Sequence, residues 1–398
     1  MSSLDLDNPA ELLGVIAGQL GLSLIGWHAT HSEPARHGNL LGFEIELEDA
    51  DGQRQSQAIF IETAPTEEPR ENVLVLQQPG TDSRIAAWVY PHDPSLPALA
   101  ATVFSDSASL ALARLGVDVA APQLSVLAYR PGKRAVIRVD GGTERVYLKV
   151  VRPGKAAAIV GRHNSLLHAG IDVPRVIGWS EDGLIALNEL TGVEAQRIVT
   201  ALDEGFLDRV QELTARLALA RIDSPARESL VDRLDWYRNR LVDRMPEQRR
   251  RFRKLADSIR QLLSEGRTSE VALVTIHGDL HAGQIFVRDA PNAAGHVISG
   301  LLDIDTAGLG DPADDAAAFY AHLLVLAQHL SDARRADAAE HVRTLADAWR
   351  RGWIRDGDPG FSARARAISA THFLGHALRQ SSPDAAEAMV RLAVTAAR

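Results

Sequence analysis

The chain has no cysteine. Disulfides, thiolate metal sites and a cysteine nucleophile are therefore excluded together, and the composition fits a reducing compartment. No stretch approaches the ~20 apolar residues that a bilayer-spanning helix needs. The start, Met1 to Gly14, is acidic and polar and lacks the basic opening and apolar run of a signal peptide. Positive charge is in deficit, with a net charge of −9, so neither nucleic acid nor an acidic membrane surface is expected as a main partner. No internal repeat or low-complexity tract is evident. The expectation is a soluble, cytoplasmic protein.

What is present fits a globular chain. Apolar residues make up 45% and charged residues 24%, both ordinary values. A length of 398 residues is too great for one ordinary core, so two or three units are expected. Three textures divide the sequence at about 118 and 192.

Residues 1–118 read as an accessory α+β domain. Pro9 to Leu20 is helix-like, and Leu41 to Leu47, Gln57 to Ile61 and Val73 to Leu76 read as strands. Turn clusters at Asp49 to Gly52 and Gln78-Pro79-Gly80 separate them. Tyr90 to Pro97 reads as an irregular connector, and Asp106 to Leu115 as helical.

Residues 119–192 are strand-rich. Leu124 to Tyr129 and Ala135 to Val139 flank Pro131-Gly132, a type II turn signature. Arg145 to Val151 and Ile185 to Leu190 read as further strands, with an Ala-rich helix between them. Residues 193–398 are mostly helical, over Phe206 to Ala220, Ser229 to Leu263, Asp314 to Leu330, Asp332 to Trp353 and Ser362 to Leu378. Pro246 is expected to break or kink the second of these. Mixed charges over Arg244 to Arg260 read as a solvated helix face. Strands at Val271 to Ile276, Ile285 to Val287 and Val297 to Ile304 interrupt the helices.

That interruption carries the chemistry. It contains His277-Gly278-Asp279-Leu280-His281-Ala282-Gly283-Gln284, then Asp303-Ile304-Asp305, then Asp311-Pro312 and Asp314-Asp315. Phosphoryl transfer needs one carboxylate to orient or deprotonate the attacking hydroxyl. An amide oxygen and a second carboxylate must hold magnesium against the phosphates. In protein kinases the first carboxylate and the amide lie on one loop at the spacing of Asp279 and Gln284, five residues. Asp303, at the end of a nearby strand, would supply the second carboxylate.

The segment resembles the His-Gly-Asp-x-His-x-x-Asn catalytic loop of the aminoglycoside phosphotransferase and choline kinase family. Its continuation is similar to that family's Ile-Asp-Phe-Gly-x-Ala-x-x-Gly-Asp-Pro-x-x-Asp pattern. The likeness spans about residues 124–380, with residues 274–315 specific. It implies an α+β, protein-kinase-like bilobal fold: a small β-rich N-lobe, a large helical C-lobe, and an additional N-terminal α+β domain. It implies an ATP- and Mg2+-dependent transfer to a hydroxyl of a small molecule. Asp279 would be the catalytic base, Gln284 and Asp303 the magnesium ligands, Asp311 a helix cap and Asp315 a structural acceptor.

Two positions depart from the pattern. Gln284 stands where Asn is usual, as in the maltokinase-like sugar kinases, which tilts the expected acceptor toward a sugar-like molecule, within the expected range of a sugar, amino sugar or aminoglycoside. Ile304 and Asp305 replace the usual aromatic and Gly, so Asp305 is either an extra group near the metal or a solvated turn residue.

For nucleotide, Lys149 lies mid-strand with Tyr147 and Val151 on its face, and its implied role is to hold the α- and β-phosphates. No acidic residue occurs from Lys155 to Gly170 to pair with it from a helix. The Tyr129 to Arg134 turn either lies over the phosphates, using backbone N–H groups and Lys133 or Arg134, or is an ordinary hairpin turn. Asn188 and Leu190 fall where the family's adenine-binding hinge would be. His277 reads as structural, whereas His281 either faces the acceptor or satisfies its own loop. Acceptor selectivity is expected around Asp311 to Leu330 and Phe361 to Arg379, where acids such as Asp314 would suit a cation.

Two other classes compete. His277-x-Asp279-x-His281 can be read as part of a metal-dependent phosphoesterase, but no second ligand cluster accompanies it. A catalytically weak nucleotide-binding module would suit the departures at Gln284 and Ile304.

Overall fold

A helix with proline in its first turn, where the missing N–H is harmless, is the first described element: α1, Pro9–Gln19. The structure, a computed structural model, describes residues 8–34, 38–64, 72–77, 84–119, 121–141, 145–267, 271–289, 295–355 and 357–398. The Gln78-Pro79-Gly80 turn lies outside them. The chain divides into two compact units, Met1–Val160 with Val176–Glu189, and Gly161–Arg175 with Leu190–Arg398.

The first unit holds two antiparallel five-stranded sheets. Strands β1 (Ser23–Pro34), β2 (Asn39–Glu48), β3 (Arg54–Glu62), β4 (Leu74–Gln77) and β5 (Arg84–Val89) pair in the order β1-β2-β3-β5-β4. Along β2, Phe43, Ile45 and Leu47 are buried while Glu44 and Glu46 face solvent, the alternation of a half-buried strand. Leu12, Leu13, Ile16 and Ala17 of α1 cover that apolar face. Asp49 closes the β2–β3 turn by accepting the N–H groups of Asp51 and Gln53, an Asx turn.

After α2 (Ala100–Val103) and α3 (Ser105–Arg114) comes the second sheet. It contains β6 (Gln123–Arg130), β7 (Arg134–Asp140), β8 (Val146–Val151), β9 (Val176–Trp179) and β10 (Leu184–Asn188), in the order β6-β7-β8-β10-β9. Its two faces have separate cores. Leu148 and Val150 pack with Leu96, Leu99, Leu112 and Val119. Val151, Ile185 and Leu187 pack with Ala156, Ile159 and Val160 of α4 (Ala156–His168). The segment from Leu96 to Val119 thus completes the core of the second sheet.

The irregular connector has a definite task. Asp93, 2% exposed, accepts the Gly132 N–H at 2.6 Å, the Tyr129 hydroxyl at 2.9 Å and the Ser95 N–H at 2.8 Å. Burial pushes its pKa up, against the pull of those donors. Gly132, at φ 68°, occupies the left-handed position that the Pro-Gly turn requires. Replacing Asp93 by Ala orphans these donors, and urea unfolding is expected to show a loss of about 2–4 kcal/mol.

The second unit is helical around a small β insertion. Its elements are β11 (Val193–Glu194), α5 (Glu204–Leu219), α6 (Leu234–Arg244), α7 (Arg249–Gly266), β12 (Val274–Ile276), β13 (Ile285–Asp289), β14 (His296–Leu301) and β15 (Gly308–Gly310). The helices α8 (Pro312–Asp332), α9 (Ala336–Arg351), α10 (Phe361–Arg379) and α11 (Pro383–Ala396) follow. A short turn at Pro246–Gln248 separates α6 from α7, where proline removes a helical N–H. Strand β14 stops at Leu301, short of the expected Ile304, because Asp303 turns left-handed. Asp311 caps α8 by accepting the Ala313 N–H at 2.9 Å, with Pro312 in the first turn. Arg364, 3% exposed, holds Asp311 and Asp358 at 2.6 Å each.

Candidate active site

Strand β12 delivers the chain to His277. Its partner is β15, with Ile276 opposite Gly308, so the residues on either side of that pair lie close. Gly278 has φ 80°, and a Cβ there would stand 2.7 Å from the Thr306 carbonyl oxygen. Only glycine meets both demands. His277 is fully buried. Its Nε2 donates to the Leu302 carbonyl at 2.8 Å, and its Nδ1 accepts the Asp279 N–H at 3.2 Å, a pairing that puts the proton on Nε2. The Thr306 hydroxyl donates to the His277 carbonyl at 2.8 Å. Asp315 of α8 accepts the N–H groups of His277 and Gly278 at 2.7 and 2.8 Å. Burial pushes the Asp315 pKa up while these donors pull it down. Asp279 is thereby fixed at the backbone, with its carboxylate half-exposed.

The hairpin after the loop brings up the remaining oxygen donors. Ile285 pairs with Leu301, and the Leu302 N–H donates to the Gln284 carbonyl at 2.8 Å. Gln284 therefore lies across from Leu302, one residue before Asp303. The Gln284 N–H in turn donates to the His281 carbonyl at 2.9 Å. Asp303 adopts φ 50° and ψ 45°, a left-handed conformation that non-glycine residues seldom take and that concentrates at functional sites. The charges of Asp279 and Asp303 both act on His281.

These donors suit magnesium. It takes oxygen ligands, retains water, and uses one or two carboxylates together with substrate phosphates. The Gln284 amide oxygen and the Asp303 carboxylate are of that kind. Among the described residues no group of three or more His, Cys, Asp or Glu side chains could hold a metal ion.

The sequence reading did not single out Arg227. Its Nη2 donates to Asp279 Oδ1 at 3.1 Å. The strand-like run that carries it explains the placement: the Ala226 N–H donates to the Leu309 carbonyl and the Arg227 N–H to the Thr306 carbonyl. Three more residues were not named individually, although their helices were expected to set selectivity. These are His322 on α8 and His372 and His376 on α10. The expectation that Asp314 offers an open acid to a cation is corrected. Its Oδ1 accepts the Ser229 hydroxyl at 2.5 Å, and burial pushes its pKa to about 7.

Burial lowers the pKa of His372 to about 3 and of His376 to about 4. Folded-state values below the ordinary 6.5 mean that this contribution to stability is complete above that pH and is lost on acidification toward those values. Each pH unit below 6.5 is expected to cost about 1.4 kcal/mol per ring. Calorimetric melting from pH 7 to pH 5 should show a falling Tm, with a shallower fall in His376→Gln.

In the first unit Lys149 is 7% exposed on β8. Lys133 is exposed and ion-paired to Glu33 at 2.8 Å. The Gly132 N–H is already taken by Asp93. Asn188 ends β10 and its amide donates to the Glu189 carbonyl at 3.1 Å. The two units divide immediately before Leu190, whose side chain would lie 2.7 Å from a Cβ at Gly300.

Solved structures similar to this chain include a choline/ethanolamine kinase family protein from Mesorhizobium loti, at 16% identity and TM-score 0.46 over 69% of this chain and 87% of that one. Spectinomycin phosphotransferase APH(9)-Ia, solved with ADP and spectinomycin, is 12% identical with TM-score 0.46 over 74% and 98%. Aminoglycoside phosphotransferase APH(3'')-Id from Streptomyces rimosus is 22% identical with TM-score 0.40 over 67% and 99%. No curated protein matches. Residues 132–357, more than half of the chain, match the model of the phosphotransferase enzyme family, APH, and they include the whole His277–Gln284 loop and its hairpin. The protein belongs to this family of small-molecule phosphotransferases, with the protein-kinase-like fold and hydroxyl acceptors that go with it.

Proposed function

We propose that the protein moves the γ-phosphate of ATP to a hydroxyl of a sugar, amino sugar or aminoglycoside, with Mg2+ as the metal. The observation that carries this reading is the joint anchoring of Asp279, Gln284 and Asp303 by one loop and one hairpin. Asp279 orients the acceptor hydroxyl and takes its proton late, as the bond to the γ-phosphorus forms and the bond to the ADP oxygen breaks. Arg227 keeps the Asp279 carboxylate in one orientation. Gln284 and Asp303 would hold magnesium, which offsets charge on the β- and γ-phosphates.

Lys149 would hold the α- and β-phosphates, and the backbone of Asn188 and Leu190 the adenine. Lys133 reaches a phosphate only by exchanging Glu33 for it, an exchange that an exposed ion pair permits at little cost. The sheet β1–β5 with α1 would be accessory to this chemistry. The test is ADP formation by the purified chain across these acceptor classes, with and without EDTA. Release that needs both acceptor and divalent metal supports the reading. Phosphate release from esters without ATP contradicts it.

A further inference from the structure

Beside Asp279, within the helical unit, stands a wall of imidazoles. His281 of the catalytic loop stacks on His322 of α8, with ring centroids 4.4 Å apart and planes 20° from parallel. His322 meets His376 edge-on at 5.0 Å and His372 at 6.1 Å, both on α10. The charge of Asp279 acts on His281, His372 and His376. As a packed core this arrangement is poor. Aliphatic side chains would fill the same volume with no polar atoms to satisfy. Yet His372 is only 5% exposed, and among the described residues the ring nitrogens of His322, His372 and His376 have no hydrogen-bond partner in the protein.

We infer that His281, His322, His372 and His376 form the acceptor subsite, and that it takes an uncharged, polyhydroxylated molecule such as a neutral sugar rather than a cationic one. This rests on the phosphotransferase reading and narrows its substrate class. A neutral imidazole offers one donor and one acceptor, the same pair that each sugar hydroxyl offers in return. The His281 Nδ1 accepts the Gly283 N–H at 3.1 Å, which leaves Nε2 as a donor. Burial lowers the pKa values of His322, His372 and His376, which keeps those rings neutral at ordinary pH. The positive charge of Arg379 acts on His322, His372 and His376 and disfavours a cationic acceptor beside them. Such an acceptor would meet Asp279 only in its pairing with Arg227.

The test compares kcat/KM for ADP formation with neutral mono- and disaccharides and cyclitols against aminoglycosides and choline. The best neutral acceptor should lead the best cationic one by about 100-fold or more, the range open to a site that reads hydroxyls. His322→Leu and His376→Leu should raise the acceptor KM by about 10–100-fold and leave the KM for ATP unchanged. His376→Gln, which keeps a donor and an acceptor, should recover part of the loss. In Asp279→Asn protein, adding the acceptor should shift the imidazole 15N resonances. A leading cationic acceptor, or Leu variants with unaltered acceptor KM, overturns the subsite assignment and leaves phosphotransfer standing. A cooperatively folded protein that forms no ADP with any acceptor overturns the phosphotransferase reading itself.

Discussion

Asp279→Asn is expected to leave a folded protein that still binds nucleotide but turns over about 10²–10⁴-fold more slowly, the usual range for a lost general base. The asymmetry follows from how the residue is held. Its backbone N–H rests on His277 Nδ1, and the preceding two N–H groups rest on Asp315. Among the described residues, the Asp279 side chain itself bonds only to the half-exposed Arg227. Asn retains an oxygen for that guanidinium but has no basic oxygen for the incoming hydroxyl. The variant should therefore lose kcat while its melting temperature and its affinity for nucleotide stay near those of the parent. A parallel loss of nucleotide binding and stability would assign Asp279 to folding instead.

Asp315→Asn is expected to have the largest effect on stability, about 2–5 kcal/mol, together with a near-complete loss of turnover. Each carboxylate oxygen faces a separate backbone N–H, from His277 at Oδ2 and Gly278 at Oδ1. An amide has only one oxygen, so one N–H must confront the NH2 group. Leaving a buried donor unmet costs about 1–3 kcal/mol, and the clash adds to it at a site 3% exposed. Because those two peptides aim Asp279, the damage passes directly to the reacting geometry. Denaturant midpoints and turnover should fall together in this variant, in contrast to Asp279→Asn. Asp315→Glu is a useful companion, since it retains both acceptors on a longer stem.

The parts legible in the sequence were those fixed by local chemistry. Asp311-Pro312 announced a helix start because side-chain capping and a proline in the first turn are short-range effects. Pro131-Gly132 announced its turn for the same reason. The loop from His277 to Gln284 was legible because its residue types and spacing follow the pattern of the family whose model the chain matches. Residues joined only by tertiary packing were not. Arg227 lies in an irregular run between helices, and it reaches Asp279 because that run adds to the edge of β15. His322 and His376 are separated by a whole helix and meet where α8 and α10 pack, an arrangement that no spacing rule encodes. Asp93 looked like a connector residue, yet it anchors the Pro131-Gly132 turn from outside the hairpin. The early end of β14 depends on a left-handed Asp303, which strand propensity cannot foresee because that conformation is held by its surroundings.

Binding of Mn2+, standing in for magnesium, should be followed by electron paramagnetic resonance in the presence of a non-hydrolysable ATP analogue. Wild-type and Asp279→Asn proteins should hold the ion with similar affinity, and Asp303→Ala should hold it about 10-fold or more weakly, as expected for loss of a charged ligand. Equal affinity in all three proteins, or a loss confined to Asp279→Asn, would contradict the division of labour between the two carboxylates.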